Sequence, residues 1–278
     1  MKIGIVGLGV LGGSLAKVTK TRTSHTVYGI DTSEETMMLA RMCGAIDEPL
    51  TQENRGSCDL IFLAVRPHIA IKWMQEHAKE IAAHTIVVDL CGVKRTICQQ
   101  LQPLAEEHGF TFVGGHPMAG KERGGFVNSM DNLFDAASMI LTPAGNVDIN
   151  ALEDLKNFFL DIGFAHLTFT TPEEHDRIIA YTSQLAHITS SAYVRSPEAL
   201  RRRGFSAGSF RDMTRVARLD EEMWAELFSE NADYLVDQLD ILINNLGEFK
   251  TALESSDTEK MRALLKEGRE IKAQVGES

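Results

Sequence analysis

Cysteine and proline are scarce in this chain, and it has no long apolar stretch. There are four cysteines and seven prolines among 278 residues. The cysteines lack the close pairing of disulfide frameworks and zinc sites, so we expect reduced thiols, a cytoplasmic protein and no bound metal. No apolar run approaches the roughly 18 residues that a membrane-spanning helix requires, so we expect no membrane segment.

Basic residues are also in the minority. The chain has 28 Lys and Arg residues against 39 Asp and Glu residues, a net charge of −11. An acidic chain is a poor general ligand for nucleic acids and anionic membranes, so we expect neither as a partner. Apolar residues make up 44% of the chain, which excludes a disordered protein. Because Met1 leads directly into a predicted strand, we expect no signal peptide.

Predicted strands and helices alternate through the first 170 residues. The strands are apolar without polar alternation, which is typical of a sheet covered on both faces. Strands are predicted at 2–7, 26–31, 59–65, 85–89, 110–114, 138–141 and 165–169, and helices at 10–20, 34–43, 69–82, 94–105 and 149–161. The alternation predicts right-handed βαβ units and a parallel, doubly wound α/β sheet of the Rossmann type.

After Pro172 the strand pattern ends and only helices are predicted, at 173–194, 220–229, 231–254 and 257–273. We therefore predict a Rossmann domain at 1–170 and an all-helical domain at 171–278. Helix 231–254 carries an a/d seam formed by Leu235, Leu239, Leu242, Leu246, Phe249 and Leu253. This seam fits either a helix pair within the domain or a homodimer interface.

The turn after the first strand has the spacing of a dinucleotide-binding loop. Gly7, Gly9 and Gly12 form G-x-G-x-x-G between a strand and a helix, and Asp31 ends the next strand. A carboxylate at that position binds ribose hydroxyls and repels a 2′-phosphate, which favours NAD over NADP. The predicted cofactor-binding residues are Gly7, Leu8, Gly9, Val10, Leu11, Gly12, Asp31 and Val65. A glycine-rich turn without a ligand is the alternative.

His116 lies in Gly-Gly-His-Pro at the end of a predicted strand. Ligands of open α/β sheets bind beyond the carboxyl ends of the strands, so this imidazole is expected near a nicotinamide. A neutral histidine can accept the proton that an alcohol loses when a hydride leaves its carbon. We therefore predict that His116 is the catalytic base, with a structural histidine as the alternative.

Residues 195–218 form a positively charged segment in an acidic protein. They contain seven arginines and only two acidic residues, a net charge of +5. Arginine binds carboxylates through two parallel hydrogen bonds, so the segment predicts a site for a small substrate with several negative charges. A solvated surface cluster is the alternative. An RNA-binding strip is a poorer interpretation, because aromatic residues are few there.

Five motifs together resemble the prephenate/arogenate dehydrogenase family of tyrosine biosynthesis, over essentially the whole chain. They are G-L-G-V-L-G-G-S (7–14), D-L-C-G-V-K (89–94), G-G-H-P-M-A-G (114–120), E-E-H-D (173–176) followed by T-S-Q-L-A-H (182–187), and F-R-D-M-T-R-V-A (210–217). The resemblance implies an NAD-dependent oxidative decarboxylation of prephenate to 4-hydroxyphenylpyruvate and a homodimer formed by the helical half. Arogenate, which has an ammonium group in place of the side-chain ketone, is the alternative substrate. A non-catalytic NAD-responsive binding protein is the alternative of another class.

The resemblance also implies roles for individual residues. His116 would accept the hydroxyl proton, and Arg215 would hold the ring carboxylate of the substrate. His187, with Ser183 nearby, would lie beside the side-chain keto acid, and Trp224 would form a wall of the pocket.

The sequence departs from the family pattern at two positions. Many relatives have Ser where this chain has Gly92, and that hydroxyl is expected to hydrogen-bond to the catalytic histidine and the substrate. Here a water or a neighbour such as Cys91 or Ser183 would have to replace it, or the role goes unfilled. Gln184 stands where many relatives have a first histidine of S-H-L-P-H. The chain ends at Ser278, so we expect no appended regulatory domain.

Overall fold

The computed structural model describes residues 1–121, 123–144 and 147–276. In these residues eight strands form one sheet in the order β3-β2-β1-β4-β5-β6-β7-β8. The strands are β1 (Lys2–Val6), β2 (Thr26–Ile30), β3 (Glu48–Pro49), β4 (Leu60–Leu63), β5 (Ile86–Asp89), β6 (Thr111–Pro117), β7 (Ser138–Pro143) and β8 (His166–Phe169). The predicted Rossmann-type sheet is therefore confirmed. The two-residue strand β3 escaped prediction.

The sheet is parallel except at one pair of strands. β6 and β7 run antiparallel, with Gly115 opposite Leu141. The sequence predicts a parallel sheet, and this one pair departs from that prediction. A parallel pair requires a crossover, usually a helix, and the described part of the connection between these strands contains only the short 3₁₀ turn Phe126–Asn128. β8 again runs parallel to β7, after the helix between them.

Helices cover both faces of the sheet. They are α1 (Val10–Arg22), α2 (Glu34–Met42), α3 (Gln52–Arg55), α4 (Pro67–His77), α5 (Arg95–His108) and α6 (Ile149–Asp161). Alternate strand residues face opposite sides, because the side-chain period of a strand is two. Phe62 of β4 accordingly packs in the apolar core on the α1 and α6 side, and Ile61 packs in the core on the α4 and α5 side.

Beyond β8 the described chain is helical. The helices are α7 (Pro172–Ile179), α8 (Leu185–Val194), α9 (Gly208–Thr214), α10 (Glu221–Glu230), α11 (Ala232–Glu254) and α12 (Thr258–Val275). The single helix predicted over 173–194 is interrupted by a π-helical turn at Ala180–Gln184. Such turns insert one residue, change which side chains face inward, and are frequent at functional sites. The short α9 lies in a region for which no helix was predicted.

The a/d seam of α11 is only partly covered within one chain. Leu235 is buried, but Leu246 is 58% exposed and Leu253 is 67% exposed. α12 packs against α11, where Lys260 forms an ion pair with Glu248 at 2.7 Å. The intramolecular helix pair therefore exists, and it leaves part of the seam exposed.

Candidate active site

The three glycines of the first turn differ in the space around them. Gly7 has φ +87°, and a Cβ there would overlap the side chain of Val65. A Cβ at Gly12 would overlap the carbonyl oxygen of Gly7, so only glycine lets α1 pack this closely on β1. A Cβ at Gly9 would have no neighbour within 4 Å in the described part of the chain. The loop is therefore open at Gly9, where a pyrophosphate has to approach the backbone.

The beginning of α1 is suited to an anion. Gly9 is its N-cap residue without a side-chain cap, and the first turn has no acidic residue. The backbone N–H groups of the first turn have no partner within the helix and point toward the loop opening. Val10 and Leu11 are partly exposed there. The chain thus fits the diphosphate of a dinucleotide at this end of α1.

Asp31 connects the glycine loop to the second strand. Its carboxylate accepts hydrogen bonds from the backbone N–H of Leu8 at 2.8 Å and of Ser33 at 2.9 Å. It is partly exposed, and each oxygen keeps a lone pair for a further donor. Asp31 therefore stabilises the loop and can also bind ribose hydroxyls.

His116 lies near the end of β6, beside the end of β5. The adjacent Gly115 is hydrogen-bonded at its N–H by the end of β5 and at its carbonyl by Lys94, the residue before α5. Its N–H donates to Asp89 at 3.2 Å, and its carbonyl accepts from Lys94 Nζ at 2.6 Å. Lys94 and Asp89 are fully buried and form an ion pair. The position of His116 is thus fixed by a buried charged pair, which was not predicted.

His116 is hydrogen-bonded to a second histidine, and that histidine to an aspartate. His116 Nδ1 lies 2.8 Å from His175 Nε2, and His175 Nδ1 lies 2.7 Å from Asp176 Oδ1. We call these three residues the His–His–Asp chain. Sequence reasoning assigned no role to His175. The only signal in the sequence was that His175 and Asp176 are adjacent polar residues near the start of a predicted helix. Their burial is visible only in the fold.

The surroundings keep both imidazoles neutral. Burial lowers the pKa of His116 well below its usual value, and His175 and the Lys94 ammonium lower it further. Burial also lowers the pKa of His175, although Asp176 opposes this shift. Burial alone would raise the pKa of Asp176, but hydrogen bonds from His175 and from the backbone N–H groups of Arg95 and Lys94 outweigh it and lower the pKa. His116 is therefore unprotonated near neutral pH, which is the state that a general base requires.

Three of the predicted substrate-binding residues lie together on the helical side. The ring of His187 packs edge-on against Trp224, with 4.0 Å between centroids. Burial lowers the pKa of His187, and the nearby Arg215 guanidinium lowers it further. Among the described residues, His187 Nδ1 is buried without a hydrogen-bond partner. An unpaired buried nitrogen of this kind is costly unless a ligand satisfies it.

Helix α10 connects this group to His116. Its Leu227 packs against Gly92, and a Cβ at Gly92 would lie 3.9 Å from His116 Nε2. Trp224, on the same helix and three residues earlier, contacts His187. Residues three apart lie on one face of a helix, so one face of α10 borders both groups.

Among the described hydrogen bonds, neither Cys91 nor Ser183 replaces the missing serine hydroxyl at His116. The thiol of Cys91 donates to the carbonyl of Val65 at 3.4 Å. Among the described hydrogen bonds, Ser183 makes none to His116. Of the alternatives named for this role, the described residues leave a water or an unfilled position, and Nε2 of His116 faces Gly92.

Gln184 has a structural role. Its side chain is buried, donates to the carbonyl of Leu227 at 3.1 Å and accepts from the amide of Asn231 at 2.7 Å. Asn231 in turn donates to the carbonyl of Asp176 at 2.9 Å. Gln184 thus fixes the end of α10 relative to α7.

Arg95 ties the two halves of the chain together beside the site. Its guanidinium donates to both carboxylate oxygens of Asp233 and to Asn231, and it stacks over Tyr234 at 4.2 Å. These hydrogen bonds lower the pKa of Asp233 to about 2. The hydrogen bonds of Arg95 fix the start of α11 against the first turn of α5, directly after Lys94.

Comparison with known sequences identifies the family. The family model described as "Prephenate dehydrogenase, nucleotide-binding domain" matches residues 15–167, and "Prephenate dehydrogenase, dimerization domain" matches residues 171–267. The chain belongs to the prephenate dehydrogenase family. The resemblance inferred from the motifs is thereby confirmed. The glycine loop precedes the matched range, so its assignment rests on the geometry described above.

Individual members of the family are similar over nearly the whole chain. Prephenate dehydrogenase of Bacillus subtilis (strain 168) is 29% identical over 92% of this chain and 71% of its own length. Cyclohexadienyl dehydrogenase of Zymomonas mobilis is 29% identical over 97% of this chain and 94% of its own.

Solved structures of the family share the fold. Prephenate dehydrogenase from Aquifex aeolicus, in complex with hydroxyphenyl propionate and NAD+, aligns with a TM-score of 0.87 and 27% identity, over 99% of this chain and 98% of that one. Arogenate dehydrogenase from Synechocystis aligns with a TM-score of 0.84 and 25% identity, over 99% of this chain and 100% of that one. The protein is therefore a dehydrogenase of this family, in accordance with the sequence-based prediction.

Two features are absent from the described residues. No helix within 1–121, 123–144 or 147–276 is both long and apolar enough to cross a membrane. In the same residues, no three histidine, cysteine or acidic side chains converge as metal ligands.

Proposed function

We propose that this protein catalyses the NAD+-dependent oxidative decarboxylation of prephenate to 4-hydroxyphenylpyruvate. One observation carries the proposal. A neutral His116, at the carboxyl edge of a dinucleotide-binding sheet, is bordered by the same helix face as His187 and Trp224. These positions support a site in which a base, a cofactor loop and a group of side chains suited to an anion border one bound substrate.

His116 would act on the ring hydroxyl of the substrate. When bound, NAD+ supplies the acceptor for the hydride that leaves the carbon bearing this hydroxyl. Nε2 of His116 accepts the hydroxyl proton as the hydride leaves, and returns it to the phenolate oxygen after the ring carboxylate has left as carbon dioxide. The ring becomes aromatic in this step, which makes the reaction effectively irreversible.

The helical half would hold the two carboxylates of prephenate. Arg215 binds the ring carboxylate through its guanidinium fork. His187 lies beside the side-chain keto acid with Ser183, where its unpaired Nδ1 gains a partner. Trp224 closes the pocket on the side opposite the sheet.

The same proposal covers the organisation of the protein. Residues 1–170 carry the cofactor, and residues 171–278 bind substrate and form a homodimer. The exposed part of the α11 seam, including Leu246 and Leu253, supports the second copy as the element that covers it. The four cysteines are free thiols, which fits the reducing cytoplasm.

The test is an assay of the purified protein with NAD+ and prephenate. We expect NADH, 4-hydroxyphenylpyruvate and carbon dioxide to form in equal amounts, and NADP+ to be a poorer cofactor. Absence of turnover with prephenate, under conditions in which NAD+ binds, would refute the proposed reaction.

Arogenate is the second candidate substrate. The similarity to the Synechocystis arogenate dehydrogenase, at a TM-score of 0.84, favours including it. A parallel assay with arogenate decides which of the two is the preferred substrate. A higher kcat/KM for arogenate than for prephenate would make arogenate the substrate.

A further inference from the structure

His175 occupies a position that the mechanism above leaves without a task. Its side chain is fully buried between His116 and Asp176, and both of its ring nitrogens are hydrogen-bonded. A histidine that only filled space in the core would not need a specific hydrogen bond to another histidine. The arrangement therefore has to be explained by what it does to the neighbouring ring.

Asp176 fixes the proton on His175. Its carboxylate accepts from the backbone N–H groups of Lys94 at 2.7 Å and of Arg95 at 2.9 Å, as well as from the Arg95 side chain. A carboxylate with these donors is ionised and can only accept hydrogen bonds. The ring nitrogen that faces it, Nδ1 of His175, must therefore carry a proton.

The proton on His175 in turn determines the proton on His116. A neutral imidazole with a proton on Nδ1 has a lone pair on Nε2. Nε2 of His175 faces Nδ1 of His116 at 2.8 Å, so Nδ1 of His116 must be the donor. The other tautomer would place two lone pairs against each other at that distance. Nε2 of His116 is thus left unprotonated on the side that faces Gly92.

We propose that His175 is a positioning residue that selects the Nδ1–H tautomer of His116 and so presents Nε2 as the base. This inference rests on the proposed dehydrogenase reaction for its purpose, although the tautomer can be measured without any substrate. When Nε2 accepts the hydroxyl proton, His116 becomes an imidazolium. Its Nδ1–H bond to His175 is retained, and no proton has to move along the His–His–Asp chain.

The tautomer of His116 depends on His175, because the Nε2 edge of the His116 ring has no hydrogen-bond partner among the described residues. Gly92 offers no side chain there, and Leu227 packs against Gly92 with its apolar end. The charged groups around the two rings are Asp176, Arg95 and the Lys94–Asp89 pair. Because Asp89 is occupied by Lys94, Cys91 and Gly115, Asp176 is the carboxylate that orients the histidines.

Two substitutions at position 175 separate the role from simple packing. His175→Gln keeps a side-chain carbonyl that can accept from Nδ1 of His116, whereas His175→Met has a similar length and no strong acceptor. We expect His175→Met to lower kcat by about 10- to 100-fold, with the KM values for NAD+ and prephenate changed less than about threefold. We expect His175→Gln to recover most of the loss. Equal kcat in the methionine variant and the parent, or equal loss in both variants, would overturn the proposal.

The tautomer itself provides a second readout that requires no turnover. Long-range ¹H–¹⁵N spectra of protein labelled with ¹⁵N-histidine distinguish protonated from unprotonated ring nitrogens, and the His116→Asn variant assigns the signals. We expect the parent to show a protonated Nδ1 and a bare Nε2 for His116, and this pattern to disappear in His175→Met. A protonated Nε2 in the parent would refute the inference, even if prephenate is turned over. If prephenate is not turned over but the expected tautomer is found, the proposed function fails and the role of His175 in selecting the tautomer stands.

Discussion

Gly92 faces the Nε2 edge of His116, and Leu227 packs over it. A Cβ added at Gly92 would lie 3.9 Å from Nε2 and 3.4 Å from the nearest carbon of Leu227. Both are ordinary van der Waals distances, so a small side chain fits there. Glycine at this position therefore removes a possible hydrogen bond to the base without any steric need for glycine.

The first prediction is that Gly92→Ser improves the enzyme. Its hydroxyl would lie within reach of Nε2 or of the substrate hydroxyl, and one such hydrogen bond contributes about 0.5–1.5 kcal/mol. We expect kcat/KM for prephenate to rise by about two- to tenfold in steady-state assays. Gly92→Ala is the matched control, since it adds the Cβ without the hydroxyl. A similar effect of both variants would show that the hydroxyl makes no productive contact.

The second prediction concerns His116 itself. His116→Asn keeps an amide N–H that can replace Nδ1–H toward His175, but it removes the base at Nε2. We expect kcat to fall by about 10²- to 10⁴-fold, while NAD+ binding measured by titration stays the same. A loss below about tenfold would exclude His116 as the general base.

The third prediction concerns the cofactor. Asp31→Asn keeps the shape of the side chain and one acceptor for the N–H of Leu8, but removes the charge that repels a 2′-phosphate. We expect kcat/KM with NADP+ to rise and that with NAD+ to fall, each by about tenfold, because hydrogen bonds to a charged group are worth about 1.5–3 kcal/mol. Glu34→Gln, which removes a nearby negative charge at the start of α2, is the control. An unchanged ratio of the two kcat/KM values in Asp31→Asn would mean that another residue selects the cofactor.

The fourth prediction concerns the dependence of stability on pH. Burial, with Glu226 and Asp176 nearby, raises the pKa of Glu230 from 4.5 to about 7. As pH rises from 4.5 to about 7, Glu230 loses its proton in the unfolded state but keeps it in the folded state. The contribution of Glu230 to stability is therefore present below pH 4.5 and is lost as pH rises through about 7. Glu230→Gln should therefore gain about 1–2 kcal/mol over the parent between pH 4.5 and pH 8, a figure reduced for partial exposure.

Urea unfolding of both proteins at several pH values measures this difference. Glu222→Gln, at an exposed position of the same helix, is the control and should show no such pH dependence. A pH-independent difference for Glu230→Gln would contradict the raised pKa.

Local pattern was sufficient to predict the secondary structure around the proposed cofactor loop. The strand, turn and helix around Gly7 and Gly12 follow from glycine spacing and from apolar periodicity, and the structure places them with little change. His116 was selected as the proposed base for a similar reason, because a strand end marked by Gly-Gly-His-Pro can be recognised from its neighbours. The direction of β7 was not predictable in this way, since it is decided by pairing with β6 across a connection that has no regular pattern.

The support of the base could not be derived from the sequence. The His–His–Asp chain and the Lys94–Asp89 pair bring together three segments that are far apart, and buried polar groups follow no period that reveals their partners. For the positively charged segment 195–218, too, the sequence did not show which side chains meet. Its composition indicated an anion site, but only the fold places Arg215, rather than its six arginine neighbours, beside His187.

The most direct test is a crystal structure of the protein with NAD+ and hydroxyphenyl propionate. We predict that the phenol oxygen lies within hydrogen-bond distance of His116 Nε2, that the ring lies beside the nicotinamide, and that Arg215 borders the same ring. The propionate carboxylate should lie beside His187. A ligand ring bound in a cavity that excludes either His116 or Arg215 would contradict the proposed active site.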